Sequence, residues 1–123
     1  AAAAAAVGPY VQAVRSESGL LFVSGCIGLE AGASGKMVGD TVEEQTQQVL
    51  ANMRAVLKAG GCGPQDVVKT LILLDDMADF AKVNKIYEAF FEGGAVPARA
   101  CFAAKTLPKG ALVEIECVAN APN

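Results

Sequence analysis

Three placements in the sequence could carry chemistry. Arg99 follows Pro97-Ala98 and sits in a segment, 98–104, made largely of small apolar residues. A guanidinium is a rigid planar fork that matches a carboxylate, so this position suits the anchoring of a small acid. A structural ion pair is the plainer use of the same side chain. Glu116 stands between Ile115 and Cys117, with Glu114 on the same face of the alternation. It is either the polar side of a strand or a general base positioned near Arg99. The turn Pro108-Lys109-Gly110 would set segments 98–104 and 112–118 side by side, because consecutive strands joined by a short turn often pair. Tyr10, in Gly8-Pro9-Tyr10, either packs with its hydroxyl wet or closes the mouth of a site.

Other chemistries are excluded by residue type. The 123 residues contain no histidine, which removes Ser-His-Asp and Cys-His nucleophilic catalysis and His-ligated zinc or iron. The four cysteines, Cys26, Cys62, Cys101 and Cys117, form no C-x-x-C pair and read as buried, reduced thiols of an intracellular protein. The Gly-rich stretch 31–35 lacks phosphate-loop spacing, since Met37 follows Lys36 where Ser or Thr is needed. The net charge is −3 and the ten Lys and Arg residues are scattered, so nucleic acid is not the expected main partner. No apolar stretch is long enough to span a membrane.

The elements that must position these residues are legible from periodicity. Strands are expected over 11–15 and 20–24. Thr41-Val42-Glu43-Glu44 matches a capping box and opens a helix over 41–59, ended by Gly60-Gly61. The apolar run 67–74 reads as a central strand covered on both faces. Residues 76–79 cap a second helix with Phe80, Val83, Ile86, Tyr87 and Phe90 on one stripe. Strands over 98–104 and 112–118 follow. The expected fold class is α+β, with two helices packed on one face of a mixed sheet. The other face has no helices left to cover it, which points to association with further copies; the 53% apolar fraction reflects both many small alanines and surface buried against other subunits. Residues 1–7, mostly alanine, are expected to be a disordered or trimmed tail, and 8–120 a single domain.

Several segments carry a resemblance. Gly8-Pro9-Tyr10-Val11-Gln12-Ala13, Phe22-Val23-Ser24-Gly25, Val42-Glu43-Glu44-Gln45-Thr46, Asp66-Val67-Val68-Lys69-Thr70, the segment from Met77 to Asn84, Pro97-Ala98-Arg99, and the segment from Leu107 to Glu116 together resemble the Rid (reactive intermediate deaminase) family, also called YjgF. The resemblance implies a chorismate-mutase-like fold and a homotrimer with intersubunit clefts. It implies cofactor-free hydrolysis of 2-aminoacrylate and 2-iminobutyrate to 2-keto acids and ammonia. Carried over, Arg99 binds the substrate carboxylate and Glu116 activates water. The Cys101 backbone contacts the imine nitrogen, Tyr10 closes the pocket, and Ser24, Gly25 and Asn84 line it. Two positions depart from the family pattern: Cys26 stands where Gln is frequent, and Ala100 where Ser is frequent. The competing reading is a non-catalytic, small-carboxylate-binding regulatory or chaperone-like trimer using the same cleft. A ribonuclease role is disfavoured by the acidic balance and absent histidine. The expected setting is soluble and intracellular, either cytoplasmic or, if the alanine run is a transit-peptide remnant, organellar.

Overall fold

A computed structural model describes residues 3–6, 8, 10–94 and 96–121. Part of the expected tail (Ala1, Ala2 and Val7) and Pro9 of the Gly8-Pro9-Tyr10 motif lie outside the described residues. Strands β1 (Ala13–Arg15) and β2 (Leu20–Cys26) form a hairpin and precede helix α1 (Val42–Ala59). Strand β3 (Val67–Leu74), helix α2 (Phe80–Phe90), strand β4 (Ala98–Ala103) and strand β5 (Val113–Asn120) follow. The sheet runs β1-β2-β5-β3-β4, with β3 and β4 parallel and the other neighbours antiparallel.

Local chemistry sets the helix starts. Thr41 caps α1 by accepting from the Glu44 N–H at 3.1 Å. The box closes through side chains, the Thr41 hydroxyl donating to the Glu44 carboxylate at 2.8 Å. Asp76 accepts from the Ala78 N–H and starts the single 3₁₀ turn Met77–Asp79 that leads into α2. Both helices lie on one sheet face. Val49, Met53 and Leu57 of α1 and Val83 of α2 bury against Ile72, Leu74, Val113 and Ile115. Asn52, buried on α1, donates to the carbonyls of Ile27 and Leu29 at 3.2 and 2.9 Å. Gln45 donates to the Gly39 carbonyl and accepts from the Leu112 N–H. These bonds tie the segment after β2 and the start of β5 to α1, since buried polar groups must be satisfied.

Three expectations are corrected. Segments 98–104 and 112–118 are not side by side, because β3 lies between β4 and β5. The crossover through α2 places β4 parallel to β3 on its outer side, and the intervening turn only returns the chain to the sheet interior. Strand β3 is interior but covered on one face: Thr70, Ile72 and Leu74 are buried, whereas on the other face Lys69 is exposed and Leu71 and Leu73 are half-buried. The alanine-rich start is not wholly a tail. Ala4 bridges Gly32 in parallel, and the Ala5 N–H donates to the Gly32 carbonyl at 2.8 Å.

The uncovered sheet face carries Val14 (57% exposed), Phe22 (46%) and Phe102 (52%). Large apolar groups gathered on one face mark an interaction surface in a soluble domain. No helix among the described residues is long and apolar enough to cross a membrane.

Candidate functional site

Of the residues singled out by sequence, Tyr10, Ser24 and Gly25 line one cleft and Asn84 and Arg99 another. The first, about 290 Å³, is lined by Tyr10, Ser24, Gly25, Ile27, Pro108 and Glu114. Ser24 is fixed from both ends: its hydroxyl donates to the Val11 carbonyl at 2.7 Å, and its N–H donates to the Gln12 carbonyl at 2.9 Å. A bulge between Val23 and Cys26 breaks the β2–β5 register there. It brings the Gly25 backbone so near Glu114 that a Cβ on Gly25 would lie 2.0 Å from Glu114 Oε2. A Cβ at Gly25 would therefore displace the Glu114 carboxylate, and its own backbone angles do not call for glycine. The opposite wall is set by the turn Pro108–Gly110. Lys109 there takes a left-handed φ of 56°, an uncommon conformation for a residue with a Cβ, and its ammonium donates to the Gly35 carbonyl at 2.6 Å.

The second cleft, about 450 Å³, lies beside edge strand β4 and is lined by Asn84, Tyr87, Phe91, Pro97 and Arg99 among others. Arg99 reaches the helix face. Its guanidinium carbon stands 5.1 Å from the Tyr87 ring centroid and 5.6 Å from that of Phe80, and its Nη1 donates to Asn84 Oδ1. These partners are all neutral. A guanidinium held by rings and an amide keeps its charge for an anion. Cys101 is half-buried on β4 beside Ile72. Ala104 donates to the Leu74 carbonyl, so strand alternation turns the Cys101 N–H to the free edge of β4.

Glu116 is placed differently from the expectation. It is exposed on β5 opposite Leu71, on the open sheet face, whereas Arg99 turns to the helices. It lines neither cleft. Glu114, two residues earlier on the same face, is the acid beside Ser24 and Gly25. Burial, and then the nearby Glu116 carboxylate, push the Glu114 carboxyl above the ordinary range. Alternation cannot separate Glu114 from Glu116. The distinction lies in the cross-strand register that the bulge sets. Burial raises the Cys101 thiol and Arg99 only partly offsets this, while burial drives Cys26 and Cys117 up to about 12. These thiols are protonated near neutrality and are poor nucleophiles. Among the described residues no group of three or more Cys, Asp or Glu is placed to hold a metal.

The two clefts do not meet within one chain. From β4 to β2 there are three strand spacings, roughly 14 Å at the usual separation. The charged groups, Arg99 and Glu114, also stand on opposite faces. An imino acid of four carbons cannot touch both.

A five-stranded mixed sheet with two helices on one face and an open apolar face defines an α+β protein. The endoribonuclease L-PSP family model matches residues 1–121, and the chain belongs to this family, which includes the Rid proteins. It is 48% identical over 118 residues to the chloroplastic Reactive Intermediate Deaminase A of Arabidopsis thaliana, covering 96% of this chain and 62% of that one. It is 46% identical over 117 residues to 2-iminobutanoate/2-iminopropanoate deaminase of Mus musculus, covering 95% of this chain and 84% of the relative. Among solved structures, a Rid family protein of Yersinia pestis superposes with a TM-score of 0.90 at 41% identity, covering 96% of this chain and 92% of that one. E. coli TdcF with bound serine gives 0.87 at 34% identity, with the same coverage.

Proposed function

We propose that this protein hydrolyses reactive 2-imino and 2-enamino acids, of the class of 2-aminoacrylate and 2-iminobutyrate, to 2-keto acids and ammonia. The unit that does so is a homotrimer of the single domain 8–120. The observation that carries the reading is Arg99, a guanidinium whose partners in the fold are neutral and which faces a cleft. The names of the mouse and Arabidopsis relatives support the reaction type, and the serine on TdcF supports a small amino acid-like ligand. The split site supports the assembly. A second copy against the open face would set the Arg99 cleft of one subunit beside the Tyr10–Ser24–Gly25–Glu114 cleft of the next. The exposed Val14, Phe22 and Phe102 on that face favour the arrangement.

In this reading the substrate carboxylate lies on Arg99, with Asn84 beside it and the Cys101 backbone toward the imine nitrogen. Tyr10 closes the mouth, and Ser24 and Gly25 form the wall. Glu114, in place of Glu116, takes a proton from water as the hydroxyl oxygen bonds to C2 and the C=N π pair moves to nitrogen. The proton then returns to the amino group. The C–N bond breaks as the carbinol O–H passes its proton through Glu114 to the departing nitrogen, releasing ammonia and leaving the keto acid. An enamine first gains a proton at C3. An imine carbon is already electrophilic, so orienting water beside it supplies much of the acceleration. Raising the Glu114 pKa brings the base nearer to working pH. Kinship with a chloroplastic relative suits a soluble setting in an organelle or the cytoplasm.

The test couples a serine/threonine dehydratase to this protein and follows keto-acid and ammonia release. Wild type accelerates release, and Arg99→Ala abolishes the acceleration. Equal rates in the two defeat the site assignment. No acceleration by wild type transfers the cleft to a non-catalytic carboxylate-binding role.

A further inference from the structure

Thr70 is the polar residue on the otherwise apolar buried face of β3, fully buried, and opposite Arg99 in the parallel β3–β4 register. Its hydroxyl bonds the Tyr87 hydroxyl at 2.7 Å, either being able to donate, and Tyr87 is only 2% exposed. The Tyr87 ring is braced again by Phe91, whose centroid is 4.8 Å away. That ring carries the Arg99 guanidinium on its face at 5.1 Å. Phe80, Asn84 and Tyr87 come from successive turns on one side of α2, so one helix face supplies both rings and the amide. Thr70 thus fixes Tyr87 from beneath, and Tyr87 fixes Arg99 from the side.

We propose that Tyr87, locked by Thr70, is a positioning residue that holds Arg99 as a preorganised carboxylate fork. The inference rests on the reading of Arg99 as the carboxylate anchor and extends it. Arginine carries several rotatable bonds, and freezing them only on binding weakens a ligand. A ring clamped at both ends removes that loss in advance. Asn84 takes one N–H, and the other donors of the guanidinium remain for the ligand.

The probes are 2-ketobutyrate and its uncharged amide, titrated calorimetrically against the assembled protein. Thr70→Val and Tyr87→Phe each break the lock and keep the ring or the volume. Each is expected to raise the Kd for 2-ketobutyrate about three- to tenfold, the range for one side chain that must be immobilised on binding. The Kd of the amide stays unchanged. Thr70→Ser retains the hydroxyl and should restore wild-type affinity, and the double variant should be no weaker than either single, because one bond is lost in all three. Lowered melting temperature with an unchanged 2-ketobutyrate Kd in the folded variants would make the pair merely structural and overturn the proposal. So would fully additive losses. Arg99→Ala separates the two levels: if it binds 2-ketobutyrate as wild type does, the anchor reading falls and this inference with it. If Arg99→Ala loses binding while Thr70→Val and Tyr87→Phe do not, only the positioning role falls.

Discussion

Gly25→Ala adds one methyl group and removes none of the groups that would do chemistry. The new Cβ would stand 2.0 Å from Glu114 Oε2, 2.9 Å from its Cδ and 3.2 Å from its Cγ. Ordinary contact begins at 3.4 Å, so the carboxylate oxygen must retreat by 1.4 Å or more. The obstructing atoms are the free end of a side chain, so Glu114 can rotate away and the fold survives; the methyl group should shift the melting temperature little. Catalysis should not survive equally well. A displacement on the order of 1 Å of a positioned group commonly lowers rate about 10²-fold, or ~2.7 kcal/mol in the barrier. Initial rates of keto-acid release, with wild type and Gly25→Ala at matched folded concentration, measure this. Gly28→Ala is the control, because its Cβ meets the backbone of Gln45 at 3.0 Å, so its effect should fall on stability. Gly25→Ala within twofold of wild-type activity would refute Glu114 as the base.

The raised Glu114 pKa makes a paired prediction. A carboxyl whose folded pKa is raised favours the fold while protonated and disfavours it as pH rises through the folded value. Glu114→Gln should therefore melt higher than wild type at neutral pH, the gap closing below the ordinary carboxylate range, while its rate falls by about 10²–10⁴-fold, the usual contribution of a positioned base. A neutral-pH melting point at or below wild type contradicts the burial and Glu116 repulsion assigned to this side chain. The composite cleft predicts complementation. Arg99→Ala and Glu114→Gln, each inactive, should on co-refolding recover about a quarter of wild-type activity, since each cleft draws one residue from either neighbour in a cyclic assembly. No recovery in mixed trimers, or a fully active wild-type monomer by light scattering, would show the two clefts working apart.

The sequence alone determined the elements and the supporting face. Thr41 with Glu44 fixed the start of α1, and the 3.6-residue stripe through Val83 and Tyr87 fixed the buried face of α2. The alternation through Val113, Ile115 and Cys117 fixed the buried face of β5. Each is a local pattern, and local patterns need no knowledge of the rest of the chain. Arg99 and Tyr10 stand out by type and placement, while Ser24 and Gly25 enter only through the family resemblance. Only the tertiary structure decided which residues share a cleft. The crossover through α2 put β3 between Arg99 and the last strand, and the bulge between Val23 and Cys26 put Gly25 against Glu114. Glu114 and Glu116 are equivalent to alternation, because a period of two assigns a face and not a neighbour. The partner across the sheet, set by a one-residue irregularity on another strand, distinguishes them.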